Sequence, residues 1–298
     1  QETDGCSKGS SAQYIRYYWN SYNSMTREKE LYGQIVRTQS HNPEFDVFDF
    51  LTDLINCSQA YVSMVDFTKK NVFDDESRSI LKTMREANAS SFFPLIIAIY
   101  RKRVDFSKVR SVLVAIETMI LRNQVLLGMT ANSNERFFAG LALKYSNGES
   151  LDSIVLAIQE KAEPDPKVKE AFKEFSPNAG LARQLLFSLF RFNNKGMTIK
   201  EPEVHLEHIM PKTKGKWDVE DSIWKVYHKR FGNMIILHKE DNCRIKNELY
   251  SKKREAYLDS KIPETRLLGE ENDDWTYKQI ESRQDLLYDQ FIKRWPKV

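Results

Sequence analysis

The stretch HLEHIMPK, residues 205–212, places two histidines three positions apart, with Glu207 between them and Pro211 close behind. The whole chain of 298 residues holds only 5 histidines, so this grouping is unusual. The stretch reads as a short β-strand that stops near the proline, because proline has no backbone N–H to continue a ladder. Adjacent strand residues point to opposite faces, so Glu207 and His208 can serve one site only at a strand end or bend.

A second β-like run, FGNMIILH, occupies residues 231–238, after a loop whose WDVEDSIWKVYHKR stretch is compatible with one helix. From Asn242 onward, NCRIKNELYSKKREAYLDS has the apolar spacing of a helix, and YKQIESRQDLLYDQFIKRW predicts a further amphipathic helix. The predicted order is therefore a strand, a long loop, a second strand and then helices.

Before residue 199 the chain reads as a series of helices. In FDVFDFLTDLINCSQAYVSMV, apolar residues recur at the spacing of one helix face: Phe45, Phe48, Leu51, Leu54, Ile55 and Val62. FFPLIIAIY is too short to span a bilayer and predicts a buried helix. No repeat of roughly 20 to 50 residues indicates a solenoid. We therefore expect a mainly α protein, with an irregular helical bundle over residues 1–198 and a small second domain over residues 199–298.

Composition narrows the function classes. The formal net charge is +3, from 45 basic and 42 acidic residues, which is too small to indicate a nucleic-acid partner by itself. Three cysteines without a CxxC pair argue against a disulfide framework and a cysteine zinc site, so we expect a reducing, cytoplasmic setting. No apolar run reaches the roughly 18 residues of a membrane span, so no membrane partner is expected. QETDGCSKGSSAQYIRYYW, at the start, has no signal-peptide pattern and no initiator methionine, so we expect a fragment of a longer protein.

Spaced elements around the two β-like runs resemble a known nuclease motif. Glu207-His208 is followed by Ile, any residue and Pro. Asn233 comes shortly before an apolar triplet, and Asn242 lies nine positions after Asn233. Lys246 lies four positions after Asn242. This pattern resembles His-Me finger (HNH) nucleases, whose fold joins two strands, a helix and a metal ion. The flanks look like the C-terminal nuclease domain of GmrSD-type, modification-dependent (type IV) restriction enzymes and of the related SspE-like defence proteins. Helical stretches such as YIRYYWNSYN and REKELYGQIV resemble the region that joins that nuclease to an N-terminal ParB-like domain.

The resemblance implies a role for each motif residue. His208 would be the general base that deprotonates the attacking water, which suits an imidazole that titrates near neutral pH. Glu207 and Asn242 would hold Mg²⁺ or Mn²⁺, since carboxylate and amide oxygens favour such hard cations over zinc. Asn233 would hold the active-site loop and orient His208, and Lys246 would touch the scissile phosphate. The wider motif more commonly has Asp in place of Glu207, and GmrSD-type members share the Glu.

Other polar residues near the motif have two interpretations. A basic run within one helix turn is usually a solvated face, but beside the nuclease motif it predicts a DNA-binding surface: Lys252, Lys253 and Arg254. His205 lies on the same strand face as Glu207 by alternation, and it either assists the metal ion or has a structural role. The remaining two histidines near the motif are expected at the surface: His228 and His238.

The resemblance implies a metal-dependent DNA endonuclease or nickase of a bacterial anti-phage restriction protein, leaving 5′-phosphate and 3′-hydroxyl ends. Its partner would be DNA, modified phage DNA in the whole protein, where the N-terminal ParB-like NTPase domain senses the modification. The DGQQR-like motif of that domain is missing from this sequence. Two alternatives stay open: a catalytically weak DNA-binding module that needs that domain, and a helical scaffold over residues 11–195 that forms a homo-oligomer or contacts the sensor. An RNA substrate is open too, because the motif attacks phosphates and does not inspect the 2′ position.

Overall fold

The computed structural model of the chain describes residues 11–69, 72–197, 199–245 and 247–298. The chain divides into two compact units, the first ending at Ala162 and the second running from Glu163 to Lys297. Among the described residues, no helix combines the length and the apolar character that crossing a bilayer requires.

The described part of the first unit is helical, and four of its helices, α3, α4, α6 and α8, begin where an acidic or hydroxyl side chain caps free backbone N–H groups. Asp46 accepts from the backbone N–H groups of Phe48 and Asp49, and Asp74 accepts from that of Ser77. α6 continues into a π-helical segment over Leu121–Leu126. The helices are α1 Ser11–Trp19, α2 Glu28–His41, α3 Val47–Val65, α4 Asp75–Glu86, α5 Phe93–Arg101, α6 Phe106–Ile120, α7 Ala131–Ser146 and α8 Leu151–Lys161.

α5 lies at the centre of the first unit. All residues from Phe93 to Ile99 are buried, and the helix packs against α1, α3 and α7. Pro94 lies in the first turn, where its missing N–H breaks no helical hydrogen bond. The prediction that FFPLIIAIY forms a buried helix is confirmed.

α3 is a helix as predicted, but it buries a different face from the one that its apolar spacing indicates. Its core-facing residues are Cys57, Ala60, Tyr61 and Met64. Phe48 and Ile55 are instead 81% and 68% exposed. Periodicity shows that a helix is amphipathic, but it does not show which neighbour covers the apolar stripe.

The second unit contains the two predicted strands and seven helices within its described residues. β1 Val204–His208 pairs antiparallel with β2 Met234–His238. β2 is covered on both faces, which explains its unbroken apolar run MIIL. The helices are α9 Asp165–Phe172, α10 Ala179–Asn193, α11 Asp221–Tyr227, α12 Lys239–Ile245, α13 Tyr250–Leu258, α14 Pro263–Glu271 and α15 Tyr277–Arg294. The prediction of a mainly α protein is confirmed.

The second unit begins earlier than the predicted domain boundary between residues 198 and 199. α10 packs against both β1 and β2, and α9 packs against α15. These two helices therefore belong to the same compact unit as the strands. The extent of the nuclease module itself, residues 199–298, stays a prediction.

The helix predicted from Asn242 onward is interrupted between α12 and α13. In a continuous helix the Glu248 carbonyl would accept the N–H four residues later. It accepts instead from Nε1 of Trp217, at 3.1 Å, while the Lys252 N–H bonds to the Leu249 carbonyl at 3.0 Å. The Glu248 carbonyl, between the two helices, is thus bonded to a side chain of the preceding loop, and the next helix begins at Tyr250.

Candidate active site at the end of the strand pair

The end of β1 meets the start of β2. Glu207 lies opposite Ile235 and His208 lies opposite Met234. The ladder continues one step further, where the Ile209 N–H donates to the Asn233 carbonyl at 3.0 Å. β1 stops at His208, so the Glu-His pair lies at a strand end, where adjacent side chains can serve one site.

Asn233 holds the turn that follows β1. Its Oδ1 accepts from the Met210 N–H at 2.8 Å and from Nε1 of Trp275 at 3.0 Å. Its Nδ2 donates to the carbonyl oxygens of Met210 and His228, each at 2.8 Å. The side-chain amide thus makes four hydrogen bonds in a residue that is 0% exposed. This geometry suits the predicted role of Asn233 in holding the loop.

Gly232, just before Asn233, lies against α15. Its N–H donates to Oε1 of Gln284 at 2.5 Å, and its carbonyl accepts from Nη1 of Arg283 at 2.7 Å. A Cβ at this position would overlap the Ile280 carbonyl oxygen. The glycine of FGN is therefore required by the close approach of α15.

The loop between the strands is fixed by two aromatic contacts. Nε1 of Trp224 donates to the Pro211 carbonyl at 3.0 Å. The His228 ring stacks on Trp224 with centroids 4.7 Å apart, and its Nδ1 lies 2.7 Å from the Trp224 carbonyl oxygen. His228 is thus half-buried and part of the loop support, which corrects the expectation of a surface histidine.

Glu207 points into the unit, towards α13. Its Oε1 lies 2.5 Å from Nζ of Lys253 and 3.3 Å from the Tyr257 hydroxyl. Nζ of Lys253 also donates to the His208 carbonyl oxygen at 2.8 Å. Lys253 is 0% exposed, so it does not lie on a DNA-facing surface, contrary to the prediction from the basic run.

Burial controls the proton affinities of the three ionisable groups here. It raises the pKa of Glu207 and lowers that of Lys253, and the close contact between the two groups opposes both shifts. The pKa of His208 is lowered to about 4 by burial, with further lowering from the positive charges of Lys212, His228 and Lys253. His208 is therefore neutral at physiological pH and able to accept a proton.

Asn242 contacts β1 through its side-chain amide nitrogen. Nδ2 donates to the Leu206 carbonyl oxygen of β1 at 3.3 Å, and the residue is half-buried. Within the described residues its Oδ1 accepts no hydrogen bond. Lys246, predicted to touch the scissile phosphate, lies outside the described residues.

The other predicted contact residues have mixed environments. Lys252 is exposed and pairs with Glu255 at 2.9 Å. Arg254 donates to the Gly269 carbonyl at 2.8 Å and pairs with Asp273 at 2.8 Å, so its guanidinium is already engaged. His205 is half-buried on β1.

His238, at the end of β2, is not a simple surface residue as expected. It lies opposite Val204, and its Nε2 is buried without a hydrogen-bond partner in the part of the chain that the structure describes.

Some residues that shape the site carry no motif signal. Trp275, Arg283 and Gln284 come from segments far along the chain, and only their contacts with residues 232–234 show their role. Tyr257 had a local signal: it lies one helix turn after Lys253, on the same face. Among the described residues, no group of three or more His, Cys, Asp or Glu side chains is placed to hold a metal ion.

Comparison with known protein families identifies the class of protein to which the chain belongs. A family model described as GmrSD restriction endonucleases, C-terminal domain, matches residues 131–290, more than half of the chain. The match indicates a nuclease of the restriction-endonuclease type, with DNA as the substrate. The chain belongs to the GmrSD restriction endonuclease family, as the sequence motifs predicted. No curated protein shows a significant match to the chain.

Proposed function

We propose that the second unit is a metal-dependent, His-Me finger (HNH-like) DNA endonuclease or nickase, with His208 as the general base. The observation that carries this proposal is the placement of a neutral His208 at the end of β1, beside Glu207 and next to the turn held by Asn233. The order β1, β2, α12 agrees with the two strands and helix of that fold.

His208 is in the protonation state that a general base needs. Its lowered pKa keeps the imidazole unprotonated at neutral pH, so it can take a proton from water, but a pKa of about 4 makes it a weaker base than the imidazole titrating near neutral pH that the sequence motif predicts. The Asn233 hydrogen bonds hold the Met210 backbone and so restrict the turn that follows His208. A restricted base stays aligned with its substrate, which is the main contribution of supporting contacts in an active site.

Glu207 and Asn242 offer oxygen atoms that fit a hard divalent cation. Oε1 of Glu207 is occupied by Lys253 and Tyr257, and Oε2 accepts no side-chain hydrogen bond among the described residues. Asn242 uses its nitrogen for β1, which leaves its oxygen for a ligand. Two protein oxygens suit Mg²⁺ or Mn²⁺, because such ions keep several waters and take further ligands from substrate phosphates. When bound, the cation would stabilise negative charge on the phosphate.

The chain supplies the remaining steps of hydrolysis through His208 and nearby cations. His208 takes the proton of a water molecule, the water oxygen bonds to phosphorus, the bond from phosphorus to the 3′ oxygen breaks, and the leaving 3′ oxygen takes up a proton from solvent water. The products are a 5′-phosphate and a 3′-hydroxyl. Lys212 is close enough to lower the His208 pKa, so a phosphate beside His208 would also meet this positive charge.

The test is cleavage of supercoiled plasmid by this chain with Mg²⁺ or Mn²⁺, with and without EDTA. His208→Ala should abolish metal-dependent nicking, whereas His41→Ala, at an exposed histidine that ends α2, should cut like the wild type. DNA that is bound but not cut would favour a binding module instead. DNA that is neither cut nor bound would favour a helical scaffold.

A further inference from the structure

Lys253 is a fully buried lysine on α13, in the middle of a basic run. The preceding residue, Lys252, is exposed and pairs with Glu255 on the helix surface. A buried ammonium loses its hydration, so it persists only where an opposite charge and hydrogen bonds replace water. The atoms that replace water therefore indicate what Lys253 does.

Two atoms at the end of β1 take the place of water around Lys253. Nζ donates to Oε1 of Glu207 at 2.5 Å and to the His208 carbonyl oxygen at 2.8 Å. Tyr257, one helix turn later, donates its hydroxyl to the same Glu207 oxygen at 3.3 Å. Both of these side-chain hydrogen bonds fall on Oε1 rather than being shared between the two carboxylate oxygens, and the His208 backbone N–H also hydrogen-bonds to this carboxylate.

We infer that Lys253 is a positioning residue of the nuclease site: it joins the Glu207 carboxylate to the His208 backbone and leaves Oε2 as the oxygen offered to the cation. This inference rests on the function proposed above. An ammonium has three donors, so one group can fix the Glu207 side chain and the His208 backbone together. Groups that orient a ligand or a base in this way act without touching DNA.

The competing explanation is that Lys253 only stabilises the fold, and this explanation accounts for fewer of the observed contacts. Replacing a buried ion pair by apolar side chains of similar volume often leaves stability unchanged or increases it. A buried ammonium needs hydrogen bonds in either case, but here both acceptors belong to the two residues of the predicted Glu-His pair, which a stabilising role does not require. A positioning role explains both contacts.

The main test is a double-mutant cycle of Lys253→Met and Glu207→Gln in this chain, followed by steady-state cleavage of supercoiled plasmid with Mg²⁺. We expect Lys253→Met to lower kcat by about 10- to 100-fold, the usual loss when a supporting residue is removed. KM for DNA should change less than about twofold, because a buried side chain makes no phosphate contact. The double variant should lose clearly less than the product of the two single losses, since the Lys253–Glu207 contact is shared by both substitutions and only the bond to the His208 carbonyl belongs to Lys253 alone.

A second measurement requires no cleavage. The affinity for a short DNA duplex in EDTA, measured by fluorescence anisotropy over a salt series, should have the same salt dependence for wild type and Lys253→Met. Loss of a phosphate contact would instead reduce the slope by about 0.9. Lys261→Met, at an exposed lysine beyond α13, is the matched control and should behave as wild type in both assays.

Two variants separate positioning from stability. Thr265→Val removes a buried hydrogen bond to the Ile236 carbonyl of β2, 2.7 Å long, without touching Glu207. Its kcat, divided by the folded fraction from urea unfolding, should stay near that of the wild type. Lys253→Arg keeps the charge and the donors and should retain more kcat than Lys253→Met. If Lys253→Met does not fold, the double variant carries the comparison, because it leaves no unpaired buried charge.

Several results would overturn the inference. These are an unchanged kcat in Lys253→Met, a kcat loss that Thr265→Val reproduces at equal folded fraction, multiplicative losses in the double variant, or a reduced salt slope with a raised KM. If the wild type does not cleave with metal, the proposed nuclease function fails and this inference falls with it. If the wild type cleaves and His208→Ala does not, the proposed nuclease function stands. The Lys253 variants alone then decide whether Lys253 is a positioning residue.

Discussion

The two asparagines of the motif lie nine positions apart and have opposite environments. Asn233 is fully buried, and its amide makes four hydrogen bonds to the turn after β1, to the preceding loop and to Trp275. Asn242 is half-buried and makes one bond, at 3.3 Å, to the Leu206 carbonyl. The same side chain thus acts as a saturated structural link in one region, and in the other its oxygen accepts no hydrogen bond from the residues that the structure describes.

This difference shows that motif spacing alone does not distinguish a residue that holds the structure together from a residue that can bind a ligand. A buried amide with all its hydrogen bonds made has no capacity left for a ligand. A half-buried amide with one weak bond keeps that capacity. The strongest tests therefore apply the same substitution to both residues.

Asn233→Ala should have the largest effect. The change leaves the Met210 N–H, two carbonyl oxygens and the Trp275 indole N–H without partners, which should lower the free energy of unfolding by about 3 to 5 kcal/mol. Urea unfolding followed by circular dichroism measures it. A loss below about 1 kcal/mol would mean that water replaces the amide and that the link is not structural.

Asn242→Ala should have a smaller and different effect. Loss of one partly buried hydrogen bond should cost at most about 1 kcal/mol of stability. Plasmid cleavage should nevertheless fall by about 10- to 100-fold, and more Mg²⁺ should be needed, since the cation ligand that we propose is removed. Cleavage rates over a Mg²⁺ series, corrected for the folded fraction, decide this. Wild-type activity would remove the distinction between the two asparagines.

The smallest expected change concerns pH. Burial and nearby positive charges lower the His208 pKa from 6.5 to about 4, so the base is neutral above that pH and protonated below it. kcat/KM should therefore fall as the pH drops through about 4. The same acid limb should be present in Asn242→Ala, because the burial of His208 does not depend on that amide. A limb near 6.5 in folded protein would show that His208 is solvated or is not the base.

Local sequence patterns were sufficient to predict the secondary-structure elements that form the site. Two short β-like runs predicted β1 and β2, and the apolar FFPLIIAIY predicted the buried α5. The motif also placed Glu207 and His208 at a strand end. These features depend on residue types within a few positions of each other, which is the range over which periodicity is informative.

Features that depend on distant segments could not be predicted in this way. Lys253 lies in a basic run that is typical of a solvated face, and only the packing of α13 on β1 shows that it is buried. Phe48 and Ile55 follow a helix period, yet no neighbour in the structure buries them. Trp217 donates to the Glu248 carbonyl between α12 and α13, and local propensity does not connect its loop to that segment.

The close approach of α15 to Gly232 has a consequence for synthesis. The hydrogen bond from Gly232 to Gln284 spans 52 residues of the chain, and Arg283 also bonds to the Met234 carbonyl. A nascent chain emerges N-terminal part first, so it presents both strands before these partners exist. The turn that carries Asn233 is therefore completed only after α15 has been made. Until that moment the ribosome carries a strand pair without the contacts that α15 makes to the turn.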